Sequence, residues 1–194
     1  MSSYRVLVVC TGNICRSPFA ERLLRARLDE RFGPEAKVVE VSSAGTGALV
    51  GEPMMPESAE TLLRYGGDPA EFVACALSVE QIEAADLVLG LTRAHRSAAV
   101  TMFPRAAAKS VTLREYARLL TGVSRADVAS SGPDLVDRFR ALTTMAFSRR
   151  GFEPPKDPSD DDVPDPFGGS MAGYEKAAAL IDQALEVPLS LLAP

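Results

Sequence analysis

Tyr4-Arg5-Val6-Leu7-Val8-Val9 is a short, β-branched and almost continuously apolar run, the pattern of a parallel strand covered on both faces. Residues 10–17 form a polar loop. Pro18 then opens a helix over 18–32, with proline in its first turn and Glu21 near its positive end. Phe19, Leu23 and Leu24 suit its buried side, and Gly33-Pro34 stops it. The alternation continues. A second strand is expected at 37–42, ending in the small-residue loop Ser43-Ala44-Gly45-Thr46-Gly47, and a helix at 56–65 is closed by Gly66-Gly67. A short helix at 79–84 leads into a third strand at 86–90. Thr92 can cap the next helix, which ends before Phe103-Pro104. A fourth strand is expected at 109–113, with a short helix to 120. This alternation implies the α/β class: a single-domain, open four-stranded parallel sheet, order 2-1-3-4, with right-handed crossovers and helices on both faces.

Residues 121–164 break the rhythm. Ser131-Gly132-Pro133 and Glu153-Pro154-Pro155 interrupt them, and Asp157-Pro158-Ser159-Asp160-Asp161-Asp162 forms an acidic run. Between the breaks, 133–149 carries Leu135, Phe139, Leu142 and Met145 or Ala146 on one helical stripe. We expect an insertion containing an extra helix, packed beside the ligand cleft, with an inert surface helix as the alternative. The acidic run reads as solvated loop. A last helix spans 172–185, with Tyr174, Ala178, Ile181 and Leu185 on one face. No internal repeat or second domain is visible, so 1–194 reads as one domain.

The chain has 194 residues, 46% of them hydrophobic and 24% charged, enough to bury one core. Its net charge of -5 argues against an extended nucleic-acid or anionic-membrane surface and leaves room for a small anion pocket. The apolar runs are too short to cross a bilayer, and Met1-Ser2-Ser3-Tyr4-Arg5 does not open a secretory leader. A cytoplasmic location with reduced cysteines is therefore expected. Abundant alanine and arginine with scarce lysine fit a GC-rich bacterial genome. Cys10, Cys15 and Cys75 are too few for a disulfide framework or a four-cysteine zinc site. The one histidine, His95, is expected on a helix surface, and Cys75 in the core. No metal or cofactor is implied.

The chemistry concentrates in Cys10-Thr11-Gly12-Asn13-Ile14-Cys15-Arg16-Ser17. A loop between the first strand and first helix lies at the carboxyl end of the sheet, where ligands of such folds bind. Five residues separate Cys10 from Arg16, enough to wrap backbone N–H donors around a tetrahedral oxyanion. Gly12 and Asn13 readily take the positive φ angles such a ring needs. The helix N-terminus adds partial positive charge, and Arg16 can close the ring with a planar fork. The same setting favours the thiolate of Cys10, a nucleophile that needs no histidine base, and Ser17 can donate a hydrogen bond to it. Expelling an alkoxide or phenoxide also needs an acid, and Asp165, stiffened by Pro166 and Phe167, is the best placed of the late aspartates.

Cys10 to Arg22, read as Cys-Thr-Gly-Asn-Ile-Cys-Arg-Ser-Pro-Phe-Ala-Glu-Arg, closely resembles the phosphate-binding loop of the low-molecular-weight protein tyrosine phosphatases. Asp165-Pro166-Phe167-Gly168 is similar to that family's late Asp-Pro loop, and residues 43–51 to its second loop in bacterial form. The resemblance spans residues 4–120 and 163–187. It implies a phosphocysteine mechanism with Cys10 as nucleophile, Arg16 as phosphate clamp and Asp165 as acid, then base. It also implies that Thr11, Gly12, Asn13, Ile14, Cys15, Ser17, Leu49 and Phe167 form the substrate side, that Ser43 supports the loop, and that Cys15 is a redox partner of Cys10. The implied partner is a phosphotyrosine-bearing protein, a bacterial tyrosine kinase among the candidates. The family often has tyrosine where this chain has Phe167, and eukaryotic members place a bulky aromatic near Leu49, so substrate preference stays open. Two other readings also stay open: a small-thiol arsenate reductase, and a non-catalytic phosphate- or phosphotyrosine-binding module. A dinucleotide site is disfavoured because Gly12-Asn13-Ile14 does not continue as G-x-G-x-x-G.

Overall fold

A computed structural model describes residues 3–152 and 154–192; Met1, Ser2 and Glu153 of the Glu-Pro-Pro break lie outside the described residues. Strands β1 (Tyr4–Cys10), β2 (Val39–Gly45), β3 (Leu87–Gly90) and β4 (Ser110–Thr112) form one sheet in the order β2-β1-β3-β4. Every pairing is parallel, as the alternating pattern requires. Helices α1 (Arg16–Phe32), α2 (Pro56–Arg64), α3 (Val79–Ala84), α4 (Arg93–Met102), α5 (Leu113–Leu119), α6 (Arg125–Ala129), α7 (Leu135–Ser148) and α8 (Met171–Leu192) complete it. Val6 and Val8 of β1 face a large core shared with α1, α5, α7 and α8, while Leu7 and Val9 face a smaller one with Ile82 and Ala99. Helices therefore cover both faces, and the central strand is buried almost throughout.

Several boundaries differ from the expected ones for local reasons. α1 starts at Arg16, two residues before Pro18, because the polar loop winds directly into the helix; a proline there removes an N–H that has no partner within the helix in any case. β2 starts at Val39 because a 3-10 turn fills Gly33–Val38. It then runs through Ser43-Ala44-Gly45, so three residues of the expected five-residue loop are strand, with Gly45 opposite Cys10. A Cβ on Gly45 would lie 2.4 Å from the Thr11 carbonyl oxygen, and only glycine lets the two segments approach so closely. α8 continues past 185 through Pro188, because Leu189 and Leu192 still bury fully and their packing outweighs the proline.

The largest correction concerns residues 121–164. The stripe Leu135, Phe139, Leu142 and Ala146 is buried as expected, but α7 does not stand beside the cleft. Phe139 stacks on Tyr4, with ring centroids 5.0 Å apart, and Thr143 Oγ1 lies 2.5 Å from the Tyr4 hydroxyl. Tyr4 opens β1 and Cys10 ends it, so α7 closes the amino end of the sheet, roughly 20 Å from the loop at about 3.3 Å per residue. The acidic run is not simply solvated loop. Asp157 caps the 3-10 turn Pro158–Asp161, whereas Asp161 is buried against Arg118 and Asp162 pairs with Arg93. Phe139→Ala should therefore destabilise the fold by about 3–5 kcal/mol and leave kcat/KM on a small aryl phosphate within twofold, as urea unfolding and a chromogenic assay would show.

Candidate active site

Asn13 is fully buried at φ 54°, a left-handed conformation that asparagine tolerates. Its amide nitrogen donates to Ser17 Oγ and to Ser43 Oγ, each at 2.9 Å, and its Oδ1 accepts from the backbone N–H of Cys75 at 2.8 Å. Because Ser17 accepts from Asn13, its own proton is free to point at Cys10 Sγ, 2.9 Å away. Ser43 likewise accepts from Asn13 and donates to Glu21 Oε2 at 2.7 Å. Hydrogen bonds donated outward from the Asn13 amide thus link the nucleophile's sulfur on one side to a buried carboxyl on α1 on the other. Burial raises the Glu21 pKa, with Ser43 and then Arg25 acting the other way.

Arg16, 5% exposed, ends the loop and opens α1. Its Nη1 donates to the Val163 carbonyl at 3.0 Å, and its Nη2 meets Asp165 Oδ2 at 2.6 Å. The other Asp165 oxygen accepts from the backbone N–H of Phe167 at 3.2 Å. Arg16 Nε is buried without a hydrogen-bond partner, a donor that an oxyanion held in the loop would satisfy. The late carboxyl and the early arginine, 149 residues apart, therefore meet.

Between them lies a cleft of about 220 Å³, lined by Cys10, Thr11, Gly12, Ile14, Cys15, Arg16, Gly47, Leu49, Asp165 and Phe167. Its end is polar and cationic, and Leu49 and Phe167 form half-exposed apolar walls. Asn13, Ser17 and Ser43 do not line it; their side chains lie behind the loop and hold it. Backbone bonds fix the neighbouring second loop: Thr46 and Gly47 donate to the Cys10 and Thr11 carbonyls, and Leu49 to that of Gly12. Met55 donates to the Ile14 carbonyl, and Ser58 Oγ to that of Cys15. Burial pushes the Cys15 thiol up to about 12, so a link to Cys10 would start from a protonated Cys15. Cys75 is half-buried rather than in the core, its Sγ 3.3 Å from the Ser43 carbonyl. Among the described residues, no cluster of three or more His, Cys, Asp or Glu is placed to hold a metal ion, and no helix is long and apolar enough to cross a membrane.

His95, expected on the surface, is 5% exposed. Its Nε2 lies 2.9 Å from Thr11 Oγ1, and its Nδ1 3.0 Å from Thr92 Oγ1. The available signal was its place in the first turn of the helix that Thr92 caps, at the carboxyl end of β3 and so beside the ligand crevice.

A strand–loop–helix oxyanion cradle that begins in a thiol, ends in an arginine and faces a carboxyl from a later loop defines a cysteine-dependent phosphatase. The chain belongs to the low molecular weight phosphotyrosine protein phosphatase family, whose model matches residues 5–131. It is 32% identical, over 94% of its length and 89% of the relative's, to a low molecular weight protein-tyrosine-phosphatase of Streptomyces coelicolor. It is 30% identical to a protein-arginine-phosphatase of Geobacillus stearothermophilus, covering 94% of this chain and 95% of that one. The crystal structure of a YwlE mutant from Bacillus subtilis superposes with a TM-score of 0.67 at 28% identity, over 97% of both chains. The protein is thus a phosphomonoester hydrolase of the protein phosphatase class, and the setting of Cys10 fits a phosphocysteine intermediate.

His95 also makes a testable demand on stability. Burial, and then the charge of Arg16, lower its pKa from 6.5 to about 4. Between those values the unfolded chain takes up a proton that the folded chain refuses, so stability falls as pH drops from about 6.5 toward 4, by on the order of 3 kcal/mol. His95→Asn should flatten that part of the profile, as urea unfolding at pH 7 and pH 4.5 would show.

Proposed function

We propose that this protein hydrolyses phosphotyrosine on protein substrates in two steps. The Cys10 thiolate attacks phosphorus in line while Arg16 and the amides of residues 11–16 hold the equatorial oxygens. Asp165 protonates the leaving phenolic oxygen as the P–O bond breaks and the S–P bond forms. Asp165, now a carboxylate, takes a proton from water, which attacks phosphorus, releases inorganic phosphate and restores the thiolate. Before this, the incoming phosphate monoester must take Arg16 Nη2 from Asp165, which frees the carboxylate to take up a proton from solvent or from the phosphate monoanion and to turn toward the leaving group.

One observation carries this reading: the Asp165 carboxyl shares a cleft with Cys10 and Arg16, and that cleft is walled by apolar side chains. Ile14, Leu49 and Phe167 suit the faces of a phenyl ring. A phosphoarginine would bring a planar set of N–H donors, and Asp165 is the one carboxylate among the lining residues, already assigned to the leaving atom. The lining therefore favours an aryl ester, although relatives named protein-arginine-phosphatase are 30% and 31% identical to this chain. We place the activity in the cytoplasm of a bacterium, read the chain as one phosphatase domain, and take an autophosphorylated tyrosine kinase as the partner class to try first.

On p-nitrophenyl phosphate with reductant, Cys10→Ser should abolish turnover while keeping the fold, and Asp165→Asn should lower kcat by roughly 10² to 10⁴. Vanadate should block the wild type. Absence of turnover in the folded wild type would move the assignment to arsenate reduction with a small thiol or to phosphate binding. Matched phosphotyrosine and phosphoarginine peptides should be separated by at least about tenfold in kcat/KM in favour of tyrosine, and the reverse order would overturn that part of the reading.

A further inference from the structure

The segment that delivers Asp165 is fixed residue by residue. Asp161, 7% exposed, meets Arg118 through both oxygens, with Nη2 at 2.9 and 3.1 Å and Nε at 3.1 Å. Asp162 Oδ1 accepts the backbone N–H of Arg93, the first residue of α4, at 2.7 Å, and Oδ2 lies 3.1 Å from the Arg93 guanidinium. Arg114 donates to the Asp162 carbonyl at 3.0 Å. Val163, fully buried, donates its N–H to the Leu91 carbonyl at 2.8 Å and accepts from Arg16. Pro164 and Pro166 then restrict the backbone on either side of Asp165.

Burying the Asp161 carboxylate costs free energy that apolar packing would avoid, and the more exposed Asp162–Arg93 pair adds little stability, so both are better understood as setting geometry. Here the geometry has an evident beneficiary. Asp162 sits three residues from the acid with Val163 anchored between them, so losing its side-chain bonds would shift the segment rather than free it. A misplacement of about 1 Å is enough to cost on the order of 10²-fold in rate.

We propose that Asp162, braced by the neighbouring Asp161–Arg118 pair, is a positioning residue for the general acid. Tied to the N-terminus of α4 and to Arg93, it sets where the Asp165 carboxyl stands relative to the leaving oxygen. The inference rests on the reading of Asp165 as that acid. Arg16 also touches this segment, through the Val163 carbonyl, but acts on phosphate whatever leaves, so the two roles separate by their dependence on the leaving group.

The test compares kcat/KM on phenyl phosphate, whose phenolate must be protonated as it leaves, with 2,4-dinitrophenyl phosphate, whose leaving group departs as the anion. This parameter covers the steps up to loss of the phenol, so hydrolysis of the phosphocysteine does not mask the effect. Asp162→Ala should lose roughly 10- to 100-fold on phenyl phosphate and less than about fivefold on the dinitrophenyl ester. Asp162→Asn, which keeps an oxygen for the Arg93 N–H, should fall between wild type and Asp162→Ala; it carries the test if thermal unfolding shows that the alanine variant does not fold. Equal losses on the two esters would mean that Asp162 serves the fold or the phosphate clamp, and no loss would mean that it serves neither; both overturn the proposal. Asp165→Asn, measured alongside, should show the same asymmetry and a larger one. If Asp165→Asn is asymmetric and Asp162→Ala is not, the positioning role alone fails. If Asp165→Asn is itself symmetric, the acid assignment fails and takes the positioning role with it.

Discussion

The site depends on one side chain, Asn13. Its backbone takes the left-handed turn that bends residues 10–16 around a central point, and its amide spends both N–H donors and its oxygen on three partners from separate parts of the chain: Ser17 on α1, Ser43 on β2 and Cys75 beyond α2. Remove it and the two serines lose the donor that orients them, so the hydroxyl at Cys10 loses its direction as well. Two neighbouring features reinforce this arrangement. Gly45 lets β2 approach the Thr11 carbonyl, and His95 ties the Thr11 hydroxyl to the start of α4. The reacting loop is thus held by elements on both sides of β1, and its shape is fixed by the folding of the whole sheet rather than by the loop itself.

Much of this was legible in the residues. The four strands and most helices follow from apolar runs punctuated by Gly, Pro and capping hydroxyls, because each such signal acts within a few residues of itself. Cys10, Arg16 and Asp165 announced themselves by chemistry and by their places in or beside turns. What was hidden is what depends on distant packing. Nothing local distinguishes an α7 stripe that packs on Tyr4 at the amino end of the sheet from one that packs beside the cleft. An acidic run looks solvated until Arg93 and Arg118, dozens of residues earlier, arrive to pair with it. His95 has the neighbours of a surface helix residue, and only the approach of β1 to α4 buries it.

The two ends of the sheet carry different duties. The carboxyl end holds the loop, the second loop, His95 and the late acid, each tied to the others by hydrogen bonds between polar side chains and backbone. The amino end is sealed by aromatic and aliphatic contacts among Tyr4, Tyr116, Phe139 and Leu142. Residues 150–152 and 154–163 lie on the return from α7 to the reacting end, with Arg150 donating to the Ser110 carbonyl on the way.

The contact between Arg16 and Asp165 means that the resting enzyme supplies its own counter-ion. An oxyanion entering the loop does not meet a waiting cation; it evicts a carboxylate at 2.6 Å and leaves that carboxylate needing a new companion. Once it has taken up a proton, the acid finds that companion in a phenolic leaving oxygen, to which it donates, whereas sulfate brings no leaving group to meet it. Inhibitors built on this scaffold should therefore gain most by pairing the phosphate mimic with a cation or hydrogen-bond donor placed to meet the displaced Asp165. The site rewards a zwitterion over a bare anion.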